Sequence, residues 1–266
     1  MNLYMIGLIW VLAATAIAIG GMLLVRKYVG IEKLLSYHEV AGYMLSVVGT
    51  LYAVLLGFVV VDAMQHTQEL RVLVDQEASG LANIYLCANG LPSDKRLVIQ
   101  KTCKDYADVV VNDEWARMSS RSYSPEAFRL VWSLWTMITT YDPVTERQQI
   151  LSQQLTSEIC SMTQNRRTRI VSASHGINPL MWGFLNAGAV LTIVFTYFFG
   201  VENVKAQALM TLLVSLTISL NVFLAFVFSH PFVGDFAVQA DSFKLDQMIF
   251  QNYEHGTAPP PPAPAR

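Results

Sequence analysis

The apolar and polar positions divide the chain into four long apolar runs, Tyr4–Val25, Val40–Val61, Pro179–Phe199 and Gln207–Ser229. Each matches the roughly 20 residues that a helix needs to cross ~30 Å of hydrocarbon. Backbone polar groups have no water to bind there, so each run is expected to be helical and the fold to be an all-α membrane protein. Four transmembrane helices are expected, with a large helical insert between the second and third. At Asp62 the second run passes into DAMQHTQELRVLVDQEASGL with no Gly or Pro at the junction. Nothing there ends a helix, so one rod is predicted to leave the membrane and continue into water. The first run resembles a secretory signal, but Met1–Tyr4 carries no Lys or Arg. Its apolar core also exceeds the ~7–15 residues of such a signal, which makes it a retained span.

This pattern sets the organisation. Residues 1–61 hold the first two spans, 62–178 a helical extramembrane domain, and 179–229 the last two spans. Residues 230–250 form a segment after the membrane, and 251–266 a Pro-rich tail expected to be disordered. Arg26–Glu39 and Gly200–Ala206 read as the connections within each pair of spans. In the insert, Leu70, Leu73, Val74, Leu81 and Ile84 continue the rod's apolar face until Asn89-Gly90-Leu91-Pro92. Ser93 caps a second helix bearing Ile99, Cys103, Tyr106 and Val110. Ser124-Pro125-Glu126 starts a third with an apolar face of Phe128, Val131, Trp132, Trp135 and Ile138. Asp142-Pro143 repeats that signal for a fourth, carrying Ile150, Leu151, Leu155, Ile159 and Met162 toward Arg166, Arg167 and Arg169.

Composition narrows the function classes. The chain is 53% hydrophobic and 14% charged with a net charge of −2, so no broad basic face points to nucleic acid. Its three cysteines, Cys87, Cys103 and Cys160, lack CxxC spacing and form neither a disulfide framework nor a zinc site. No HExxH, GxxxxGK[ST] or GxSxG motif occurs, so no catalytic residue, cofactor or metal is assigned and the chain is not read as an enzyme. Asp62, His66 and Glu69 lie close along one helix, yet three neighbours on one helix are poorly arranged to surround an ion.

The rod carries the candidate chemistry. At 100° per residue, Phe58, Asp62, Gln65 and Glu69 fall within an arc of about 60°. One face thus turns from aromatic to acidic and amide-bearing. Either these acids mark the solvated start of the extension, or symmetric copies turn them into a ring at a pore mouth. In the first and last spans, Ala14 with Ala18, Ala16 with Gly20, and Thr211, Ser215 and Ser219 repeat at four-residue spacing, a signal for close helix packing. Asn221 is expected to make an interhelical hydrogen bond.

Two spans, a helical insert, two spans and a PF-containing segment resemble the bestrophin family. VLLGFVV at Val54–Val60 is similar to the second span that lines the neck of bestrophin channels, and HPFVGDF at His230–Phe236 is similar to their segment after the last span. Together with Glu77-Ala78 and the spacing, these residues resemble the bacterial bestrophin-like membrane proteins. The resemblance implies a homo-oligomeric ion channel, a pentamer, whose partners are the lipid bilayer and small inorganic ions. It places the neck, or constriction, at Thr50, Val54 and Phe58, where Phe58 alone keeps the bulky aromatic and Leu51 stands in place of a Pro. Asp62, Gln65 and Glu69 would supply vestibule charge. Pro231, Phe232, Gly234 and Asp235 would form a structural turn, since the dense acidic run of the calcium-binding members is missing. Charge gives two opposed orientations: Arg26, Lys27 and Lys33 favour a cytoplasmic first connection, whereas Arg166, Arg167 and Arg169 flank the third span on the domain side. The resemblance implies a multi-pass protein of the bacterial inner membrane with the domain and termini cytoplasmic. A membrane-anchored helical scaffold or sensor without ion conduction, using Trp115, Trp132 and Trp135, is the alternative.

Overall fold

The computed structural model describes residues 3–174, 176–234 and 236–255; the Pro-rich run at 256–266 and Asp235 lie outside the described residues. Those residues contain α-helices, a 3₁₀ turn and a π-helical segment, and no strand. In order they are α1 (Leu3–Val29), α2 (Ile31–Cys87), α3 (Ser93–Val109), α4 (Trp115–Met118), α5 (Pro125–Thr139), α6 (Glu146–Ser174), α7 (Pro179–Tyr197), α8 (Val204–Phe228) and α9 (Asp241–Glu254). Among them α1, α2, α7 and α8 are long and apolar enough to cross a membrane. The chain divides into two compact units, 3–67 with 176–236, and 68–174 with 237–255.

The first unit holds α1, the first part of α2, α7 and α8. The expected first connection shrinks to a single residue, because helix continues through Val29 and resumes at Ile31. Gly30 makes this possible with φ +82, a left-handed conformation that costs glycine little. Arg26 then ties the α7–α8 connection to the end of α1: its guanidinium donates to Val201 O at 2.6 Å, Glu202 O at 2.7 Å and Gln207 Oε1 at 2.7 Å. Asn178 and Asn203 cap α7 and α8 through their side-chain oxygens. A core of Tyr52, Leu56 and Val59 from α2 packs with Leu185 of α7 and with Ile218 and Val222 of α8. The α8 stripe Thr211, Ser215 and Ser219 is buried, as small residues at a helix crossing require. Asn221 differs from expectation. Its Nδ2 donates 2.9 Å to Thr217 O on its own helix, since a backbone carbonyl four residues back is the nearest acceptor.

The second unit holds the rest of α2, α3–α6 and α9. Leu70, Val74, Leu81 and Ile84 of α2 are buried, as are Ile99, Cys103 and Tyr106 of α3 and Leu155, Ile159 and Met162 of α6. Ser124 caps α5 from its Oγ, with Pro125 in the first turn. The start of α6 falls at Glu146, beyond Asp142-Pro143, because Thr145 and Gln148 close a capping box. Gln148 N donates to Thr145 Oγ1 at 3.3 Å and Thr145 N donates to Gln148 Oε1 at 3.3 Å. On α5 the buried face is Ala127, Val131, Leu134 and Ile138, which leaves Phe128 and Trp132 exposed. Three elements had no signal in the sequence pattern: the π-helical segment Val110–Glu114, the short α4 after it, and helix α9.

At Gly200 the chain passes close against the backbone of Leu34 and Leu35. A Cβ there would lie 2.4 Å from Leu34 C and Leu35 N, atoms that cannot swing aside. Gly200→Ala is therefore expected to destabilise by ~2–3 kcal/mol, the upper part of the overpacking range. Gly20→Ala, with nothing within 4 Å of the new methyl, should be neutral or mildly stabilising. Thermal denaturation of the purified protein in mild detergent checks this, and equal midpoints for the two variants would contradict it.

Candidate functional site

Within the first unit α2 is unbroken, so Thr50, Val54, Phe58, Asp62 and Gln65 fall within an arc of about 120°. Its packed side in the first unit carries Tyr52, Leu56, Val59 and Ala63. The other side carries Thr50, Val54, Phe58, Asp62 and Gln65, all exposed. Phe58 is 72% exposed, more than any other aromatic ring of α2 except Tyr43. Thr50 turns its hydroxyl onto Ser46 O at 2.7 Å, so the proton is used within the helix and the oxygen lone pairs remain outward. Glu69, which lies in the second unit, is also exposed.

The segment after α8 makes a turn. Val233 N donates 3.0 Å to His230 O, Pro231 and Phe232 are buried, and Gly234 sits at φ +90 where a side chain would be strained. Thr67 of α2 reaches this end of α8, donating 3.3 Å to Phe228 O. Among the described residues no group of His, Cys, Asp and Glu could hold a metal ion.

The second unit contains a buried charge array that residue patterning did not reveal. Glu77 from α2, Glu114 from the π-helical segment, and Arg166 and Arg169 from α6 are all buried. Arg169 Nε donates 2.6 Å to Glu77 Oε2, and its Nη2 donates 2.8 Å to Glu77 Oε1 and 2.8 Å to Glu114 Oε1. Arg166 grips Glu114 with both nitrogens, at 2.6 and 2.7 Å, and donates 2.8 Å to the Tyr106 hydroxyl. That hydroxyl in turn donates to Glu77 Oε1. Arg169 also lies 5.2 Å from the Trp115 ring centre. Two acids and two guanidinium groups cancel, and every guanidinium and carboxylate finds partners, which a buried ion pair needs to offset desolvation.

The π-helical segment turns Glu114 inward. One residue more per turn shifts the helical phase of the residues after it, and such bulges are common at functional sites. Burial by itself would raise the Glu114 pKa, but the Arg166 hydrogen bonds and the charges of Arg169 and Arg166 outweigh it and hold the carboxyl below its ordinary value. Burial pushes the Tyr106 phenol well up, so it remains a neutral donor. Arg166 and Arg169, counted from sequence as flanking cations, are consumed in this array. Of the three, Arg167 alone remains exposed.

Removing one member strands a buried charge. Glu77→Ala is expected to cost ~3–5 kcal/mol, whereas Glu77→Met with Arg169→Met should recover most of that loss. Because the folded Glu114 pKa is depressed, its contribution is complete above the unfolded value of about 4.3 and is lost as pH falls through the folded value. Denaturant unfolding followed by tryptophan fluorescence checks both points. A single variant as stable as the double, or stability flat below about pH 4, would contradict them.

No curated protein matches the chain. A solved crystal structure described as a membrane protein shares the fold, with a TM-score of 0.62 at 12% identity, covering 91% of this chain and 96% of that one. Among the described residues of this chain, four helices are long and apolar enough for a multi-pass membrane location. The model of the Bestrophin-like domain matches residues 12–243, from the first turns of α1 to the start of α9, and the chain belongs to the bestrophin-like family.

Proposed function

We propose that the chain is the subunit of a homo-oligomeric ion channel whose pore is lined by α2. The observation that carries this reading is the unpacked face of α2, where Thr50, Val54 and Phe58 lie exposed along an apolar span and Asp62 comes one turn later. In a ring of copies, a pentamer by family resemblance, Phe58 forms the constriction. Asp62 and Gln65 form its mouth, and Glu69 lies about two turns beyond Asp62 along the same helix. A ring of acids at a low-dielectric mouth attracts cations by Coulomb interaction. The proposed location is the bacterial inner membrane, with the helical domain and termini in the cytoplasm. Pro231, Phe232 and Gly234 act as a structural turn and not as a calcium sensor. Membership of the bestrophin-like family supports channel activity over catalysis.

A second reading, a membrane-anchored scaffold without conduction, draws on Phe128 and Trp132, which stand exposed on α5 at 58% and 64%. Such aromatic groups are the anchors that protein interfaces favour. Trp115 does not contribute to that surface, since its Nε1 donates 2.9 Å to Val238 O.

Reconstituted liposomes separate the two. The channel passes small cations, and Asp62→Lys with Glu69→Lys shifts the reversal potential toward anions. Absence of any ion flux from folded, oligomeric protein would remove the channel reading. Flux with an unchanged reversal potential would remove the acids from selectivity and leave the pore.

A further inference from the structure

Asp246 stands on α9, just beyond the residues matched by the family model. It is 4% exposed, and its Oδ2 is fully buried without a hydrogen-bond partner. An ionised carboxylate in that position would be a buried, uncompensated charge, which folded proteins avoid by protonation or pairing. Its surroundings provide no pair. On α3, the facing titratable group is the buried Cys103 thiol, itself pushed up by burial and by Asp246.

The other charges around α9 are committed elsewhere. Lys104 of α3 pairs with Glu254, Asp108 of α3 accepts from Gln247 Nε2 at 2.5 Å, and Lys244 pairs with Asp241 on α9 itself. On α2, Asp75 accepts from Ser242. In the π-helical segment, Asp113 is bound by Arg117 and Ser124, and Glu114 by Arg166 and Arg169. Tyr85 stacks on Phe250 at 4.2 Å, and Tyr106 meets Phe243 edge-on at 6.1 Å.

We propose that Asp246 is a proton-binding site that couples the docking of α9 to pH. The docked helix accepts the proton on a carboxyl buried beside Cys103 of α3, and the released helix gives it back to water. Burial alone, with no cation opposing it, pushes the docked Asp246 up to about 8. A solvated Asp titrates at about 3.9. The folded value is raised, so docking binds a proton throughout the interval between the two. Docking is therefore strongest at the acid end and weakens about tenfold per pH unit until the docked carboxyl ionises, beyond which it is flat. The event reaches the buried charge array. Phe243 of α9 packs edge-on against Tyr106 and Trp115, at 6.1 and 6.0 Å, and Trp115 lies over Arg169. Release of α9 uncovers the aromatic side of that array. This proton site stands whether or not the protein conducts.

Hydrogen exchange on the purified full chain tests it, with labelling times scaled for the intrinsic pH dependence of amide exchange. Between about pH 6 and about pH 8, where the docked carboxyl is half ionised, protection of the α9 amides should fall about 50-fold in the native protein. In Asp246→Asn, which mimics the protonated carboxyl, protection should be equal at the two pH values. Native protection that does not change with pH, or an equal fall in both proteins, would overturn the proposal. Infrared spectroscopy of native protein with isotope-labelled Asp provides a readout independent of the variant. A protonated aspartyl C=O band at about pH 6 that disappears above about pH 9 supports the site, and its absence at about pH 6 overturns it.

Discussion

Helix α2 runs without a break from an uncharged apolar stretch into an amphipathic one, and the rest of the structure depends on that constraint. Between Val40 and Val61 it carries no charged residue, as a hydrocarbon surrounding requires. In the second unit the same helix becomes amphipathic, with Leu70, Val74, Leu81 and Ile84 buried and Glu69 left in water. Glu77 is the carboxylate it carries into that second core, and Arg169 meets it with two hydrogen bonds. The charge array is the local consequence: a carboxylate on a buried face requires a guanidinium, and the second acid and second guanidinium complete the balance. A hydrophobic replacement of similar volume would fill the space as well, so the array is better understood as specifying which helices meet than as adding net stability.

The positions of the spans were legible because periodicity, length and the absence of charge all point the same way. Ser124-Pro125, Asn178-Pro179 and Asn89-Gly90 marked helix ends through local chemistry, which the backbone obeys wherever no competing cap lies nearby. Thr145 and Gln148 show how such a signal is displaced: the capping box satisfies more backbone donors than Asp142-Pro143 does, and the helix starts there. The π-helical segment had no visible cause in its own residues, since Val110–Glu114 widens to bring Glu114 to partners distant in sequence. Helix α9 was hidden for a related reason. Its pattern is carried by Phe243 and Phe250 at two helical turns, and both are fixed by packing on Tyr106 and Tyr85.

Charge was the most misleading signal. Arg166, Arg167 and Arg169 look alike in sequence, yet two are buried ion-pair partners and one is exposed. A count of cations flanking a span treats these as equal, although a neutralised guanidinium exerts little field at the membrane surface. The tryptophans divide in the same way, with Trp115 hydrogen-bonded to Val238 O and Trp132 standing in solvent. On α2, by contrast, the face through Thr50, Val54, Phe58, Asp62 and Gln65 needed only helix geometry, because an unbroken helix cannot change phase.

If α2 lines a pore, this face looks onto a symmetry axis shared with other copies of the chain. Particle imaging of the protein in lipid nanodiscs tests that arrangement most directly. A closed ring with a central passage is predicted, with density for Phe58 pointing toward the axis. A monomer, or a ring in which Phe58 faces lipid, would contradict it.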